Sequence, residues 1–210
     1  MSRNCTHTWF FFGDSLTLGV NDYTMPGGWV SRLALLGRQE KLYAYPPTTF
    51  YNLGARRQTT ADVAARFEAE VQARQMPGII QRLVFCVGVV DVVVVPAGAD
   101  HGAVQRAAIE LESLLERAKK VAPTLVICPP PVTDVEKRQR IARLCAAQLD
   151  VCARLGVDYI NINAALAAAP EYMEDLADGL HPGPTGNAVM AERLLADVRM
   201  RNFLTPDKDD

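Results

Sequence analysis

Short apolar runs alternate with amphipathic stretches along the chain. None of the apolar runs alternates strictly between apolar and polar residues, which is typical of parallel strands covered on both faces. Between the runs, apolar residues recur every three or four positions and predict helices, as in Val63, Phe67 and Val71. The pattern therefore predicts a doubly wound parallel α/β sheet. Its five predicted strands are Thr8–Phe12, Thr49–Leu53, Leu83–Val87, Leu125–Cys128 and Tyr159–Ile162.

Two helix starts carry the spacing of a capping box. They are Thr59-x-x-Asp62 and Thr133-x-x-Glu136, in each of which a hydroxyl and a carboxylate can satisfy each other's backbone N–H groups.

A chain of 210 residues is long enough for one sizeable core. We expect a single domain over residues 1–204 and a polar tail over residues 205–210.

Charge and cysteine content narrow the class of protein. A net charge of −2 offers no electrostatic basis for binding nucleic acid or an anionic membrane surface. No apolar stretch is long enough to span a bilayer, and because no basic segment and apolar region precede the first strand, we expect no signal peptide. The cysteines show no metal-type spacing, and we expect reduced thiols in a cytoplasmic protein. The five are Cys5, Cys86, Cys128, Cys145 and Cys152.

Three polar loops follow predicted strands and should meet at the carboxyl edge of the sheet. They are Gly13-Asp14-Ser15-Leu16, Asn52-Leu53-Gly54 and Gly88-Val89-Val90-Asp91. Open α/β sheets bind their ligands at this edge. A serine at the end of a buried strand can expose its hydroxyl there, so Ser15 is the candidate nucleophile.

A histidine and an aspartate near the carboxyl terminus complete a candidate triad. In Asp178-Gly179-Leu180-His181 the spacing lets the carboxylate turn back onto the imidazole. We therefore expect His181, rather than His7 or His101, to be the general base and Asp178 to orient it.

These motifs together resemble the GDSL or SGNH hydrolase superfamily. The blocks beginning at Gly13, Asn52 and Asp178 match in order, and Pro182 follows the last block as in the family. The resemblance covers about residues 9–195 and implies a flavodoxin-like, three-layer α/β/α fold. It also implies hydrolysis of small carboxylic esters or thioesters without a metal or organic cofactor. In such a site the backbone N–H groups of Ser15 and Gly54 form the oxyanion hole.

One block departs from the family pattern. The third block usually reads Gly-x-Asn-Asp, and its asparagine amide is a further oxyanion donor, but Val90 stands at that position here. Loss of one such donor typically lowers the rate by about 10²–10³. Asn52 or Asn21 are the candidates to replace the missing amide.

The remaining polar residues near the cleft have both structural and functional interpretations. Asp14 and Asp91 are expected to be structural, with Asp91 accepting backbone N–H bonds that hold the cleft loops. Arg56 and Arg57 are either solvated or positioned to bind an anionic group of a substrate. Gly27-Gly28-Trp29 either lines an acyl pocket or belongs to the core.

Two functions from different classes follow. The first is a GDSL-type esterase or lipase, a serine hydrolase that forms an acyl-enzyme on Ser15. The alternative is a binding or scaffold protein on the same fold, with weak or no turnover because of Val90. A nucleotide-binding module is a poorer interpretation, because the first loop lacks both Gly-x-Gly-x-x-Gly and a Walker pattern.

Overall fold

A computed structural model of the protein describes residues 6–43, 48–95 and 102–205. Cys5, His101 and residues 206–210 of the expected tail lie outside these ranges. The strands in the described part are β1 (Thr6–Gly13), β2 (Thr48–Gly54), β3 (Ile79–Cys86), β4 (Thr124–Ile127) and β5 (Asp158–Ile160). The helices there are α1 (Ser15–Leu18), α2 (Gly28–Gln39), α3 (Thr60–Gln72), α4 (Val89–Val93), α5 (Ala103–Val121), α6 (Val135–Leu155), α7 (Asn163–Ala167), α8 (Pro170–Met173), α9 (Pro184–Ala196) and α10 (Val198–Leu204).

The strands form one parallel sheet in the order β2-β1-β3-β4-β5. All five predicted strands are present, so the predicted doubly wound fold class is confirmed. The main boundary error is in β3, which begins at Ile79 rather than Leu83 because Ile79–Arg82 pairs with Thr6–Trp9. At the other end, Val87 and Cys128 lie just beyond β3 and β4, and β5 ends at Ile160.

Helices cover both faces of the sheet. One group contains α2, α9 and α10, and the other contains α3, α5 and α6. The two helical layers bury strand β1 completely over four consecutive residues, since Trp9, Phe10, Phe11 and Phe12 are all 0% exposed. Its unbroken apolar run therefore reflects burial on both faces, as expected for a parallel strand between two helical layers.

The two predicted helix caps have different outcomes. Thr59 caps α3, and the reciprocal bonds of its capping box with Asp62 are present. The second prediction is wrong, because Asp134 caps α6 through a bond from the Lys137 N–H. The hydroxyl of Thr133 instead donates to the carbonyl of Gly179, so a contact with a distant loop removes it from the cap.

The strand order determines where a cleft can form. Sequential connections run to opposite sides of β1, since β2 lies on one side of it and β3 on the other. In doubly wound sheets a crevice opens at such a switch point, outside the carboxyl ends of the strands. The loops that follow β1 and β3, which carry Ser15 and Val90, lie at this point.

Candidate active site

Ser15 is the first residue of a short helix that follows β1 directly. Strand β1 ends at Gly13, and Asp14 caps α1 by accepting a 2.8 Å bond from the Leu16 N–H. The first N–H groups of a helix have no partner within the helix, so the N–H of Ser15 points out of the helix end. The Ser15 side chain thereby stands at the carboxyl edge of the sheet.

The structure joins Ser15, His181 and Asp178 in one chain of hydrogen bonds. Ser15 Oγ lies 2.8 Å from His181 Nε2, and His181 Nδ1 lies 2.7 Å from Asp178 Oδ2. The second carboxylate oxygen, Asp178 Oδ1, accepts bonds from the N–H groups of Leu180 and His181 at 3.0 and 2.7 Å. The local turn therefore orients the aspartate towards the histidine.

Hydrogen bonding keeps Asp178 ionised. Burial would raise the pKa of this half-exposed carboxyl, but bonds from the His181 N–H, the His181 ring and the Leu180 N–H together lower it to about 2. A carboxylate can only accept, so the proton of a neutral His181 ring lies on Nδ1. Nε2 then accepts the hydrogen bond from the Ser15 hydroxyl, which is the arrangement a general base requires.

Asp14 lies beneath the candidate nucleophile, in a buried environment. Burial raises its pKa to about 7, against the effect of the bond from the Leu16 N–H, and the nearby Asp91 adds to the rise. Asp91 in turn accepts bonds from the N–H and hydroxyl of Thr60 at 3.0 and 3.1 Å. Asp91 therefore ties α4 to the first turn of α3.

The amide of Asn52 is committed to backbone carbonyl groups. Its Nδ2 donates to the carbonyls of Thr17 and Gly27 at 2.7 and 3.1 Å, and its Oδ1 accepts a 3.0 Å bond from the Gly54 N–H. Asn52 thus connects β2 to two other segments and has no amide proton aimed at the cleft. The Gly54 N–H is likewise engaged in this arrangement.

Asn21 lies on the aspartate side of the site. Its amide is 3.5 Å from both Asp178 Oδ2 and the His181 carbonyl, and its backbone is left-handed with φ 74°. Asn21 is therefore positioned to support Asp178.

Val90 is half-buried in the first turn of α4, and its side chain carries no hydrogen-bond donor.

Trp29 belongs to the core. It is 0% exposed, its indole N–H donates to the Leu16 carbonyl at 3.1 Å, and its ring packs edge-on against Phe11. Sequence reasoning missed Asn187, whose Oδ1 accepts from the Trp29 N–H while its Nδ2 donates to the carbonyls of Pro182 and Gly183. A polar residue on the buried face of α9 was the available signal. Asn187 joins the histidine loop to α2.

A sequence model of the GDSL-like lipase/acylhydrolase family matches residues 11–189. The chain belongs to this family. The assignment places it among the hydrolases that act on ester bonds. No curated protein sequence matches the chain.

Solved structures share the GDSL fold with this chain. An acetylxylan esterase from Geobacillus stearothermophilus superposes with a TM-score of 0.72 at 18% identity, over 99% of this chain and 100% of that one. A lipase/acylhydrolase from Enterococcus faecalis superposes with a TM-score of 0.74 at 21% identity, over 97% of this chain and 100% of that one. These likenesses confirm the three-layer fold implied by the GDSL blocks.

Within residues 6–43, 48–95 and 102–205, no helix is both long and apolar enough to cross a membrane. The same residues contain no group of three or more His, Cys, Asp or Glu side chains that could hold a metal ion.

Proposed function

We propose that this protein is a serine hydrolase that cleaves small carboxylic esters or thioesters through an acyl-enzyme on Ser15. The observation that carries the proposal is the continuous hydrogen-bonded series from Ser15 Oγ through His181 to Asp178, at the switch point of the sheet. Nucleophile, base and orienting acid in this geometry define a triad whatever their order in the chain.

The proposed reaction has two steps. Ser15 Oγ attacks the carbonyl carbon while His181 Nε2 takes the hydroxyl proton, and the same nitrogen then returns that proton to the leaving alcohol or thiol. In the second step His181 takes a proton from water, the hydroxide attacks the acyl group, and Ser15 recovers its proton as the acid leaves. Asp178 stabilises the imidazolium that forms in each step.

The oxyanion would be held by the backbone N–H groups of Ser15 and Gly54. The Ser15 N–H is open at the start of α1. The Gly54 N–H would have to exchange its bond with Asn52 Oδ1 for one with the oxyanion. Preorganised donors of this kind stabilise the transition state more than the ground state.

A relative of the same fold supports the assignment of the three roles. Variants of the Geobacillus acetylxylan esterase that are described as catalytic mutants replace a serine, an aspartate and a histidine, the last two of them three positions apart. Asp178 and His181 have the same spacing. The cytoplasmic location stays a prediction from the cysteine pattern.

The second candidate function is a binding or scaffold protein with the same triad and little turnover. The half-buried Val90 and the engaged amide of Asn52 favour it, because neither side chain offers a donor to an oxyanion in this arrangement. The two candidates differ in whether an acyl-enzyme forms and is released.

The deciding experiment compares wild type with Ser15→Ala. A fluorophosphonate probe should label the wild type and leave the variant unlabelled, and 4-nitrophenyl esters of graded acyl length should be hydrolysed by the wild type alone. Circular dichroism checks that both proteins fold. Labelling without ester turnover would favour the binding protein, and equal turnover by both proteins would remove Ser15 from the mechanism.

A further inference from the structure

The turn between β2 and α3, residues 55–59, begins against the helix that carries Ser15. Gly54 pairs in register with Gly13, and the Ala55 N–H donates to the Gly13 carbonyl at 3.1 Å. A Cβ atom added at Gly54 would lie 2.2 Å from the Leu18 nitrogen. The turn therefore leaves the sheet in contact with α1, the helix that begins at Ser15.

Hydrogen bonds from neighbouring side chains fix the backbone of this turn. The Arg66 guanidinium donates to the Leu53 carbonyl and to Gln58 Oε1, each at 2.6 Å. The capping box of Thr59 determines how the chain leaves the turn, and Asp91 holds the next residue. These contacts prevent the turn from moving freely, so side chains on its outer surface project from a fixed base.

Arg56 and Arg57 are the exposed cations of this turn. Among the described residues, neither has a carboxylate oxygen within ion-pair distance. Asp62, the nearest acid in the sequence, accepts a bond from the Thr59 hydroxyl, and Asp91 accepts one from the Thr60 hydroxyl. The guanidinium groups of Arg56 and Arg57 are therefore exposed and without a charged partner in the described residues, on the turn that follows Gly54.

The conformation of Arg57 is an independent indication. Its φ is 63°, in the left-handed region that glycine adopts more readily than a residue with a Cβ atom. Strained backbone of this kind is concentrated at binding and catalytic sites. An arginine at this position has a conformational cost that glycine would avoid, and a role for its side chain accounts for that choice.

We propose that Arg56 and Arg57 form a subsite for an anionic group of the substrate. The protein would then prefer esters or thioesters that carry a carboxylate or phosphate a few atoms from the scissile bond, because guanidinium groups bind both anions through paired N–H donors. The inference rests on the proposed function and specifies its substrate class.

The test uses three acetate esters that differ in charge. They are 3-acetoxybenzoate, its neutral methyl ester and 3-acetoxyphenyltrimethylammonium. A second pair, mono-4-nitrophenyl glutarate and its methyl ester, places the charge on the acyl side. We expect kcat/KM of the wild type to favour the anionic over the cationic acetate by about tenfold at low salt, since attraction of the anion contributes roughly fivefold at most and repulsion of the cation adds to it. The preference should narrow in 1 M salt, where the Debye length is about 3 Å.

The variants are Arg56→Gln, Arg57→Gln and their combination. Each single change should reduce the anionic-to-cationic ratio, and the double variant should bring it close to one. Arg57→Gly should lower the ratio while raising the melting temperature, because glycine relieves the left-handed strain. The matched control is Lys120→Gln, which removes an exposed cation near the carboxyl end of α5, at the opposite edge of the sheet, and should leave the ratio unchanged.

The outcomes separate this inference from the proposed function. If the neutral ester is hydrolysed in a Ser15-dependent way but the double variant keeps the wild-type ratio, or Lys120→Gln lowers it equally, the subsite is wrong and the hydrolase stands. If no ester shows Ser15-dependent turnover, the proposed function fails and the subsite fails with it.

Discussion

At the scale of single residues, the ionised state of Asp178 fits its proposed role as the partner of a general base, His181. The Asp178 pKa of about 2 keeps the carboxylate charged at every pH at which the protein is assayed, so protonation of Asp178 adds no acid limb to the rate profile above about pH 3. We expect kcat/KM to rise once with pH, because the proposed reaction depends on one general base.

Removal of the base tests this arrangement. His181→Ala should lower kcat about as much as Ser15→Ala, because the two groups act as a unit. Asp178→Asn should lower it less, since the Ser15–His181 contact survives while the imidazolium loses a charged partner. The measurement is the pH–rate profile of the wild type and of the three variants on an activated ester. A flat wild-type pH profile, with chemistry shown to limit the rate, would argue against His181 as the base.

Val90 provides a gain-of-function prediction. If it occupies the site of the missing donor, Val90→Asn should raise kcat more than it changes KM, because the new amide would bond the oxyanion more strongly than the ground-state carbonyl. A full donor contributes roughly 2.7–4 kcal/mol. We expect a smaller gain, because a buried amide without other partners costs about 1–3 kcal/mol.

The matched control for that variant is Val94→Asn, which places the same amide at the exposed end of α4. It should leave kcat unchanged. Circular dichroism checks the folding of both variants. If Val90→Asn folds and its kcat is unchanged or lower, Val90 does not mark a missing oxyanion donor.

At the scale of elements, we expect the contact between β2 and α1 to position Ser15, the proposed nucleophile. A Cβ atom at Gly54 would lie 2.2 Å from the Leu18 nitrogen and 2.7 Å from the Thr17 carbonyl carbon, both in the backbone of the helix. Gly54→Ala must therefore push the strand and the helix apart. We expect a loss of about 1–3 kcal/mol in the free energy of unfolding, together with most of the esterase activity.

Gly156→Ala is the control for Gly54→Ala, because it replaces a glycine at a position where the added Cβ atom overlaps nothing. Gly156 ends α6 with φ 63°, and a Cβ atom there would meet nothing within 4 Å. Alanine at this position should cost about 1 kcal/mol and leave turnover intact. Urea unfolding and ester turnover of both variants are the measurements. Equal activity in both would show that the β2–α1 contact does not position Ser15.

At the scale of the whole molecule, the buried Asp14 links stability to pH. Its pKa is about 7 in the folded protein against 3.8 for the ordinary group, so the folded state binds a proton that the unfolded state has already released between these values. The protein should therefore lose stability through this group as pH rises from about 4 to 7, by an amount on the order of 4 kcal/mol at most.

Asp14→Asn should remove that dependence. Its amide oxygen can still accept the bond from the Leu16 N–H, and it has no charge to bury. The difference in unfolding free energy between variant and wild type should grow from about pH 4 to pH 7 and then level off. Asp134→Asn, at the exposed cap of α6, is the control for replacing a capping aspartate. A difference that is constant over this window would refute the raised pKa.

Much of this fold and of its candidate site follows from local pattern. The five strands could be predicted because parallel strands covered on both faces are unbroken apolar runs, as Trp9–Phe12 is. The bonded pair Asp178 and His181 could be predicted because the turn between them is local, with both partners within four residues. The Thr59 capping box was predictable for the same reason.

Only the tertiary structure decided which partner each longer-range polar group takes. Asn52 could have offered an amide to the cleft, but the carbonyls of Thr17 and Gly27 come within its reach and bind it instead. The Thr133 hydroxyl bonds to the Gly179 carbonyl instead of capping α6 as expected. Asn187 accepts its bond from the N–H of Trp29, which is distant in the chain. A hydrogen bond depends on distance and direction in space, and for residues far apart in the chain these are properties of the packed molecule.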